Sequence, residues 1–434
     1  MNGEVARLRA ASPKEGELRV RSALVPLGVV SLLLAVSVLT GIVGWNRDGD
    51  ARRPDPVETP VPPSPPVSPV TLEPMEPPEL RYVEWRLPDN AMLSDHGDRF
   101  AALVDNNFDG VGGVRLRLLD MDTGVNRVVV PDSLGRAQGF TTLGLHCSDA
   151  WLVWEEVSGD EIADPLGVRW QLWAAKIDAR SVEVGEPRLL RSEVASASGR
   201  PLFDVVDDTL YVMSNSYPNP RQEGARFRSS IVAVHLPSGA EREVYTSPQM
   251  VRVFSVQGEE LIVTEYTDYE TVRCRVRVLG IGDGRERFAF DLGNDLRVSH
   301  WPAYADGVLI WAAEVSAAAP WPTLRCRLRD GSVFKLAEQG LDTAVVGPYV
   351  FYREYGNGAA GTSRSREVAT IRAVELTSMR AFELLRTGPG GEGYWQPMID
   401  SHREAHTYVV WNQLLVADVG AERGGTYVRR YWIP

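Results

Sequence analysis

The chain has 434 residues, of which 44% are hydrophobic and 24% are charged, and its formal net charge at neutral pH is −12. With 12 Trp and 14 Tyr, it contains enough apolar surface to build a large folded core. The acidic balance argues against a domain that binds nucleic-acid phosphates, because such domains concentrate positive charge.

The first predicted element is a transmembrane helix over residues 23–45. No charged residue occurs between Ala23 and Trp45, and a helix of this length spans about 34 Å, enough for a hydrocarbon core of about 30 Å. Pro26 lies in the first turn, where a missing N–H is tolerated. A cleaved signal peptide is the alternative, but the apolar run is long and no Ala-x-Ala site follows it. We therefore predict an uncleaved signal anchor.

Basic residues flank this helix unevenly. Those before it are Arg7, Arg9, Lys14, Arg19 and Arg21, and those after it are Arg47, Arg52 and Arg53. Such a bias places the N-terminus in the cytoplasm. The sequence thus predicts a single-pass protein of the cell membrane, with a short cytoplasmic tail at 1–22 and the rest of the chain outside the cytoplasm.

Residues 46–79 are predicted to form a proline-rich, disordered linker. Dense proline favours the extended polyproline II conformation. At about 3.1 Å per residue, the segment Pro54–Pro78 would hold the following domain about 75 Å from the membrane. In this interpretation the segment is a spacer, and a ligand for a PxxP-binding groove is the alternative.

From Arg99 onwards the sequence repeats one unit of hydrophobic strand, loop, second strand and Asp- or Gly-containing turn. The intervals of about 40 to 60 residues are typical of propeller blades. The opening strands are predicted over Phe100–Asp105, Trp151–Glu156, Leu210–Ser214, Leu261–Glu265, Val308–Glu314, Val350–Glu354 and Tyr408–Asn412. In four units a tight turn follows the strand that pairs with the opening strand. These turns are at Asp122–Gly124, Pro237–Gly239, Gly282–Gly284 and Asp330–Gly331.

With a further strand after each turn, the units indicate four-stranded antiparallel blades. We predict an all-β, seven-bladed β-propeller over residues 80–434. In the final unit, the opening strand Tyr408–Asn412 is the second strand of the blade and Thr426–Ile433 is the third. This unit lacks an outer strand of its own. Leu80–Leu87 is predicted to supply that strand, which would remove two exposed sheet edges.

The unit is clearest in DRFAALVDNN at 98–107 and VRLRLLDMDTG at 114–124. It resembles TolB-type propellers and the propeller domains of prolyl oligopeptidases over about residues 80–434. The resemblance to TolB-type proteins implies a binding or scaffolding role in the cell envelope. Peptidase activity is not implied, because the chain has no Gly-x-Ser-x-Gly and no room for an α/β-hydrolase domain.

Asp105, Asn107 and Asp109 place oxygen atoms at alternate positions, as at the start of a calcium loop. The twelfth position, where such loops carry Glu, is Leu116. Asn, Asp and Gly are also ordinary turn residues. We favour a plain turn, with calcium as the alternative, and predict no cofactor.

Glutamates recur near the ends of the opening strands, at Glu155, Glu156, Glu265, Glu314 and Glu354, and arginines alternate on the partner strands. This pattern predicts cross-strand ion pairs. An acidic ring that binds cations or basic partners at the channel mouth is the alternative. The three cysteines, Cys147, Cys274 and Cys326, are predicted to be small buried hydrophobic residues rather than disulfide partners.

Four long loops follow the opening strands, at Ser158–Val168, Asn215–Arg228, Ser316–Pro322 and Gly356–Glu367. Loops on a rigid scaffold carry most recognition, and aromatic residues are enriched at interfaces. The candidate ligand-binding residues are therefore Tyr217, Trp321 and Tyr355, although such side chains can equally cap blade cores.

These features predict a monomeric, membrane-anchored extracytoplasmic propeller without catalytic activity. It would act as a binding or scaffolding module for a protein or glycan in the cell envelope. The alternative is a lyase or hydrolase that acts on envelope polysaccharide at the channel mouth.

Overall fold

The structure is a computed structural model of the chain. It describes residues 67–68, 72–88, 91–105, 114–158, 168–194, 200–216, 228–268, 273–293, 302–313, 322–355, 369–386, 398–400, 413–420 and 425–432. The predicted helix at 23–45 and the tail at 1–22 lie outside these ranges. Within them, no helix has the length and apolar character needed to cross a membrane.

The described strands form seven sheets, in which strands that are consecutive in the chain pair antiparallel. Sheet 1 contains Ala91–His96, Phe100–Asp105, Arg115–Asp120 and Asn126–Val130. Sheet 2 contains Phe140–Cys147, Trp151–Ser158, Arg169–Asp178 and Arg188–Val194, with Glu183–Val184 also paired to the third strand. Sheet 3 contains Leu202–Val206, Thr209–Ser216, Arg228–His235 and Ala240–Ser247.

The remaining sheets repeat this order. Sheet 4 contains Val251–Gln257, Glu260–Asp268, Arg273–Gly280 and Glu286–Gly293. Sheet 5 contains Ala303–Ala305, Val308–Ala312, Leu324–Arg327 and Val333–Ala337. Sheet 6 contains Gly340–Val346, Tyr349–Tyr355, Ala369–Glu375 and Arg380–Arg386. Sheet 7 contains Met398–Asp400, Gln413–Gly420, Gly425–Trp432 and Arg81–Arg86.

Apolar clusters between consecutive sheets form the core. Trp154 of sheet 2 packs in one cluster with Phe100 and Leu116 of sheet 1, and corresponding clusters join each later sheet to the next. Another cluster contains Val428 of sheet 7 together with Leu103 of sheet 1. Full burial of one such side chain stabilises the folded state by about 1.5 to 3 kcal/mol. The architecture is all-β and of the propeller type.

The N-terminal strand lies in the last sheet. Arg81–Arg86 pairs antiparallel with Gly425–Trp432, which confirms the predicted docking of Leu80–Leu87. The second strand of this sheet is Gln413–Gly420, so the prediction of Tyr408–Asn412 is wrong for this strand. Residues 408–412 lie outside the described part of the chain. The later strand is selected because it leaves a connection of only 421–424 before its partner, as a hairpin favours.

The tight turns between third and fourth strands are also confirmed. Gly124, Gly239, Gly284 and Gly331 all have positive φ, at 75°, 73°, 65° and 89°, a conformation that glycine adopts without a steric penalty. Sheet 6 has Met379 at the corresponding place with φ of 55°. A residue with a Cβ occupies this region at some cost in conformational energy.

Parts of the predicted linker lie against the sheets. Val67–Ser68 pairs parallel with the start of the fourth strand of sheet 5, and Glu73–Pro74 pairs with that of sheet 6. Leu72 packs against the cluster between those two sheets, and Met75 and Leu80 pack against the next cluster. We call residues 67–68 and 72–80 the strap. They correct the prediction of a free linker, because proline is compatible with the outer edge of a sheet.

Candidate functional site

The long connections of the chain leave from one side of the sheets. In a four-stranded antiparallel sheet, the second strand ends on the side where the fourth strand also ends and the next sheet begins. We call this the loop side. The opposite side carries the tight turns. The recurrent acidic residues at the ends of the second strands therefore lie at the base of the loop side.

Glu155 forms a buried ion pair at this position in sheet 2. Its carboxylate accepts hydrogen bonds from Nε and Nη2 of Arg200, at 3.1 and 2.6 Å. The Glu155 side chain is 1% exposed and that of Arg200 is 18% exposed. Arg200 lies just before the first strand of sheet 3, so the pair ties two neighbouring sheets together on the loop side.

The adjacent Glu156 binds backbone N–H groups of the segment between sheets 1 and 2, not a cationic side chain. Its two carboxylate oxygens accept the backbone N–H groups of Leu134 and Gly135, at 2.7 and 2.8 Å. Trp154 donates its indole N–H to the same carboxylate at 3.1 Å. This fully buried acid thereby fixes the connection from sheet 1 to sheet 2, which includes the short 3₁₀ helix Arg136–Gln138.

Glu265 lies in a network of hydroxyl groups and a cation in sheet 4. Tyr245 and Ser247 donate their hydroxyls to Oε2 of Glu265, at 2.7 and 2.8 Å. Arg277 approaches Oε1 at 3.4 Å. Burial, together with the neighbouring carboxylate, raises the pKa of Tyr245 to about 12. The phenol therefore remains a hydrogen-bond donor at neutral pH.

Two further acids pair diagonally with an arginine on the third strand. Asp105 meets Arg117 at 3.0 Å, and Glu354 meets Arg372 at 2.6 Å. In each case the arginine lies two positions beyond the residue directly opposite the acid, as it does for Glu265. Burial raises the pKa of Glu354, although Arg372 opposes the shift.

For the described residues, these contacts distinguish between the two interpretations of the recurrent glutamates, which are cross-strand ion pairs and an acidic ring at the channel mouth. Glu265 and Glu354 make the predicted cross-strand ion pairs. Glu155 pairs with a cation outside the strand ladder, and Glu156 binds backbone amides. Glu314 lies outside the described residues. At these four positions the carboxylates are engaged within the protein and do not form an open acidic ring.

The calcium candidate receives no support at its first residue, because Asp105 is bound to Arg117. Asn107 and Asp109 lie outside the described residues. In the described ranges, no group of three or more Asp, Glu, His and Cys residues is arranged to hold a metal ion.

The side chains of the three aromatic candidates lie outside the described part of the chain. Tyr217 and Trp321 lie outside the described residues. Tyr355 ends the second strand of sheet 6 and pairs with Ala369, while its side chain is outside the description. Their role in ligand binding therefore stays a prediction.

The cysteines match the interpretation as buried apolar residues. Cys147, Cys274 and Cys326 are all buried thiols. Burial raises the pKa of Cys274 to about 11 and that of Cys326 to about 12. Both thiols are therefore protonated at neutral pH and unsuited to nucleophilic chemistry.

Arg200, Tyr245 and Ser247 belong to the loop-side networks but were not indicated by the sequence. Arg200 contacts an acid 45 positions earlier, and no local spacing predicts such a contact. Tyr245 and Ser247 alternate along the fourth strand of sheet 3 and face the next sheet. Their alternation was the available signal, but identifying their partner requires the packing of the two sheets.

No protein-family model matches this sequence, and no curated protein matches it. Among solved structures, the chain is similar to the β-propeller domain of the trilobed protease from Pyrococcus furiosus, with 7% identity, coverage of 64% of this chain and 78% of that one, and a TM-score of 0.40. It is also similar to oligogalacturonate lyase from Vibrio parahaemolyticus (8% identity, 82% and 97% coverage, TM-score 0.44).

A further similar structure is the WD40 domain of SCAP from fission yeast, with 9% identity, coverage of 81% and 98%, and a TM-score of 0.43. The neighbours thus include propellers that are enzymes and propellers that are not. The resemblance is one of propeller-type fold only.

Proposed function

We propose that this protein is a membrane-anchored, extracytoplasmic binding or scaffolding module of the cell envelope, built on a ring of seven blades. The seven sheets would be the blades, and the loops on the loop side would contact a protein or glycan. Residues 23–45 would anchor the chain in the membrane, with residues 1–22 in the cytoplasm.

The observation that carries this proposal is the rigid base of the loop side. Glu155 and Glu156 on the second strand of sheet 2 and Glu265 on that of sheet 4 are buried near the loops that follow these strands, and each is held by several directed hydrogen bonds. Buried charged hydrogen bonds of this kind hold a backbone in one position. Variable loops on a fixed base are the usual construction of a recognition surface.

Binding can be tested with the full chain in detergent. Candidate ligands are peptidoglycan sacculi, envelope polysaccharides and isolated envelope proteins, with sedimentation or surface binding as the readout. Substitution of Tyr217, Trp321 and Tyr355 by Ala should weaken the interaction at least about tenfold if these aromatic residues are hot spots. Tyr82→Ala is a matched control, because Tyr82 is an aromatic residue 55% exposed on the outer strand of sheet 7.

The competing function is an enzyme acting on envelope polysaccharide. A screen of polysaccharides for new reducing ends or unsaturated products, with and without added divalent metal, separates the two functions. Turnover by the purified chain, lost on substitution of a loop-side residue, would establish the enzyme and overturn the binding module.

Topology is tested separately by adding protease to intact cells. An anchored, outward-facing domain should be released as a soluble fragment cut between residues 46 and 66. A domain that is digested only after lysis would show the reverse orientation.

A further inference from the structure

The strap shows how a short extended segment docks on the outer edge of a sheet in this domain. Glu73–Pro74 pairs parallel with Arg380 and Ala381, at the start of the outer strand of sheet 6. Just before this pair, Leu72 packs against the cluster between sheets 5 and 6, and just after it, Met75 packs against the cluster between sheets 6 and 7. Two side chains three positions apart therefore fill the junctions on the two faces of one sheet.

Sheet 3 has a cavity of about 230 Å³ at the corresponding place on its face toward sheet 2. Leu189 and Leu190 line this cavity from the outer strand of sheet 2. Its lining residues from sheet 3 occupy the strand positions of the sheet 6 residues that belong to, or pack against, the cluster contacted by Leu72. In register, the equivalent pairs are Leu210 and Val350, Val234 and Val374, Gly239 and Met379, and Glu241 and Ala381. The cavity thus corresponds to the place that Leu72 fills on sheet 6.

A second cavity of about 230 Å³ lies on the other face of the same strand of sheet 3. Its lining residues correspond to members of the cluster that Met75 contacts on sheet 6. In register, the equivalent pairs are Thr209 and Tyr349, Tyr211 and Phe351, Ala233 and Ala373, and Arg242 and Phe382. Because the exposed Arg242 stands where sheet 6 has the buried Phe382, this cavity favours a more polar occupant than Met75.

In sheet 1, the chain itself covers both equivalent places. Gly124 corresponds to Gly239, and a Cβ on Gly124 would lie 3.4 Å from Cδ1 of Trp85. On the other face, Val182 and Val184 pack in the cluster between sheets 1 and 2. A Cβ on Gly239, by contrast, would meet no described atom within 4 Å. Among the described strands, the outer strand of sheet 3 also has a neighbour only on its inner side. This edge is therefore open where the edges of sheets 1 and 6 are covered.

Sheet 1 also shows which charge suits the second cavity. Arg127 has the register position of Arg242, and it forms an ion pair with Glu183 at 2.9 Å. Glu183 belongs to the short segment that covers this side of sheet 1. Arg242 donates a hydrogen bond to the carbonyl of Ile281 at 3.3 Å, and a guanidinium has further N–H donors that can bind a carboxylate. An acidic side chain is thus the complementary occupant.

We propose that the outer strand of sheet 3 is a docking site for an extended peptide segment of a partner protein. The segment pairs parallel with the start of Ala240–Ser247 and places a leucine-like side chain in the cavity toward sheet 2. Three positions later, an acidic side chain binds Arg242. Addition of a strand to an exposed sheet edge is a general mode of peptide recognition. The site lies on the rim of the domain and does not depend on the role proposed for the loop-side aromatic residues.

Disulfide capture by the full chain in detergent tests this site. The probe is a synthetic peptide of residues 69–78 that carries E73C and M75E, so that it keeps Leu72 and presents an acid three positions later. Because Glu73 pairs with Arg380 on sheet 6, the same register places the peptide cysteine beside A240C, within the Cα separation that a disulfide needs. Intact-mass spectrometry gives the captured fraction, normalised to the reaction of the same thiol with hydroxyethyl disulfide.

The matched control is V125C, because Val125 is 38% exposed and has the position of Ala240 in the covered sheet 1. Burial of the leucine side chain predicts capture by A240C at least about tenfold above that by V125C, and a similar loss when the peptide carries L72D. In A240C chains, R242E should also reduce capture, and a peptide with M75K should restore it.

Three results would overturn the proposal. The first is equal capture by A240C and V125C, which would show that the cavities contribute nothing. The second is capture by A240C that neither L72D nor the charge exchange changes, which would show thiol reactivity alone. The third is disulfide formation between two A240C chains in preference to the peptide, which would assign this edge to a second copy of the chain.

Discussion

At the scale of single residues, buried carboxylates with directed partners hold together parts of the chain that are distant in sequence. Asp120 ends the third strand of sheet 1, and its side chain is 1% exposed. It accepts hydrogen bonds from Nε and Nη2 of Arg99, at 3.1 and 2.7 Å, and from the backbone N–H of Asp122 at 3.0 Å. Although desolvation opposes the shift, these hydrogen bonds lower the pKa of Asp120.

Asp120→Asn should therefore destabilise the domain in a pH-dependent manner. A carboxyl whose pKa is lowered in the folded state stabilises the protein above its unfolded pKa, and this contribution is lost as the pH falls through the folded pKa. We expect the free energy of unfolding to fall by about 2 kcal/mol near neutral pH. This difference from the wild type should shrink as the pH is lowered below about 4. Urea unfolding across this pH range measures the difference.

The control for this variant is Asp122→Asn, because Asp122 is 61% exposed and lies 3.8 Å from the same guanidinium. An exposed pair of this kind contributes less than about 1 kcal/mol. Equal losses for both variants, or a loss from Asp120→Asn that does not change with pH, would contradict the account.

Arg200 provides a second test at this scale. Arg200→Leu leaves Glu155 buried without its two guanidinium hydrogen bonds, and we expect a loss of about 3 kcal/mol in the free energy of unfolding. The double variant E155L/R200L should recover part of that loss, because it also removes the buried carboxylate charge. A double variant as unstable as the sum of both single variants would show that the two residues act independently.

At the scale of elements, the second and third strands of sheets 1 to 6 could be predicted from the sequence, and the first strands could not. Phe100–Asp105 has the predicted bounds, because its apolar face and flanking turns mark it clearly. Leu202–Val206 and Ala303–Ala305 are short and mostly buried, so they lack the alternation of a half-exposed strand. The proline content of the strap predicts a spacer, because such composition is typical of linkers, whereas its docking depends on distant strands.

The candidate site divides in the same way. The ion pairs of Glu265 and Glu354 could be predicted, since arginines alternate on the adjacent strand of the same hairpin. The partners of Glu155 and Glu156 could not, because Arg200 and the Leu134–Gly135 backbone approach through packing between neighbouring sheets.

The strap makes a prediction of its own at this scale. Leu72 and Met75 are half-buried against two core clusters, so L72A/M75A should lower the free energy of unfolding by about 2 kcal/mol. Glu76→Ala changes an exposed residue of the same segment and is the control. If both variants unfold at the same denaturant concentration as the wild type, the strap contributes nothing to stability.

At the scale of the whole molecule, the two ends of the domain meet in sheet 7. Arg81–Arg86 pairs with Gly425–Trp432 over its full length, and Glu84 forms an ion pair with Arg429 at 2.6 Å. Trp85 also packs against the cluster that joins sheets 7 and 1. Because this pairing closes a very long loop, its loss should weaken the domain as a whole and not only its edge.

The most direct test of ring closure is calorimetry of the full chain carrying V83P/E84P. Neighbouring residues of an edge strand point their N–H groups to opposite sides, so proline at both positions removes a ladder bond in either register. The account predicts one cooperative transition in the wild type and a transition of the entire domain lowered by about 5 °C or more in the variant. Glu84→Ala, which removes only the ion pair, should shift it far less. An unchanged main transition in V83P/E84P would contradict a ring closed by the N-terminal strand.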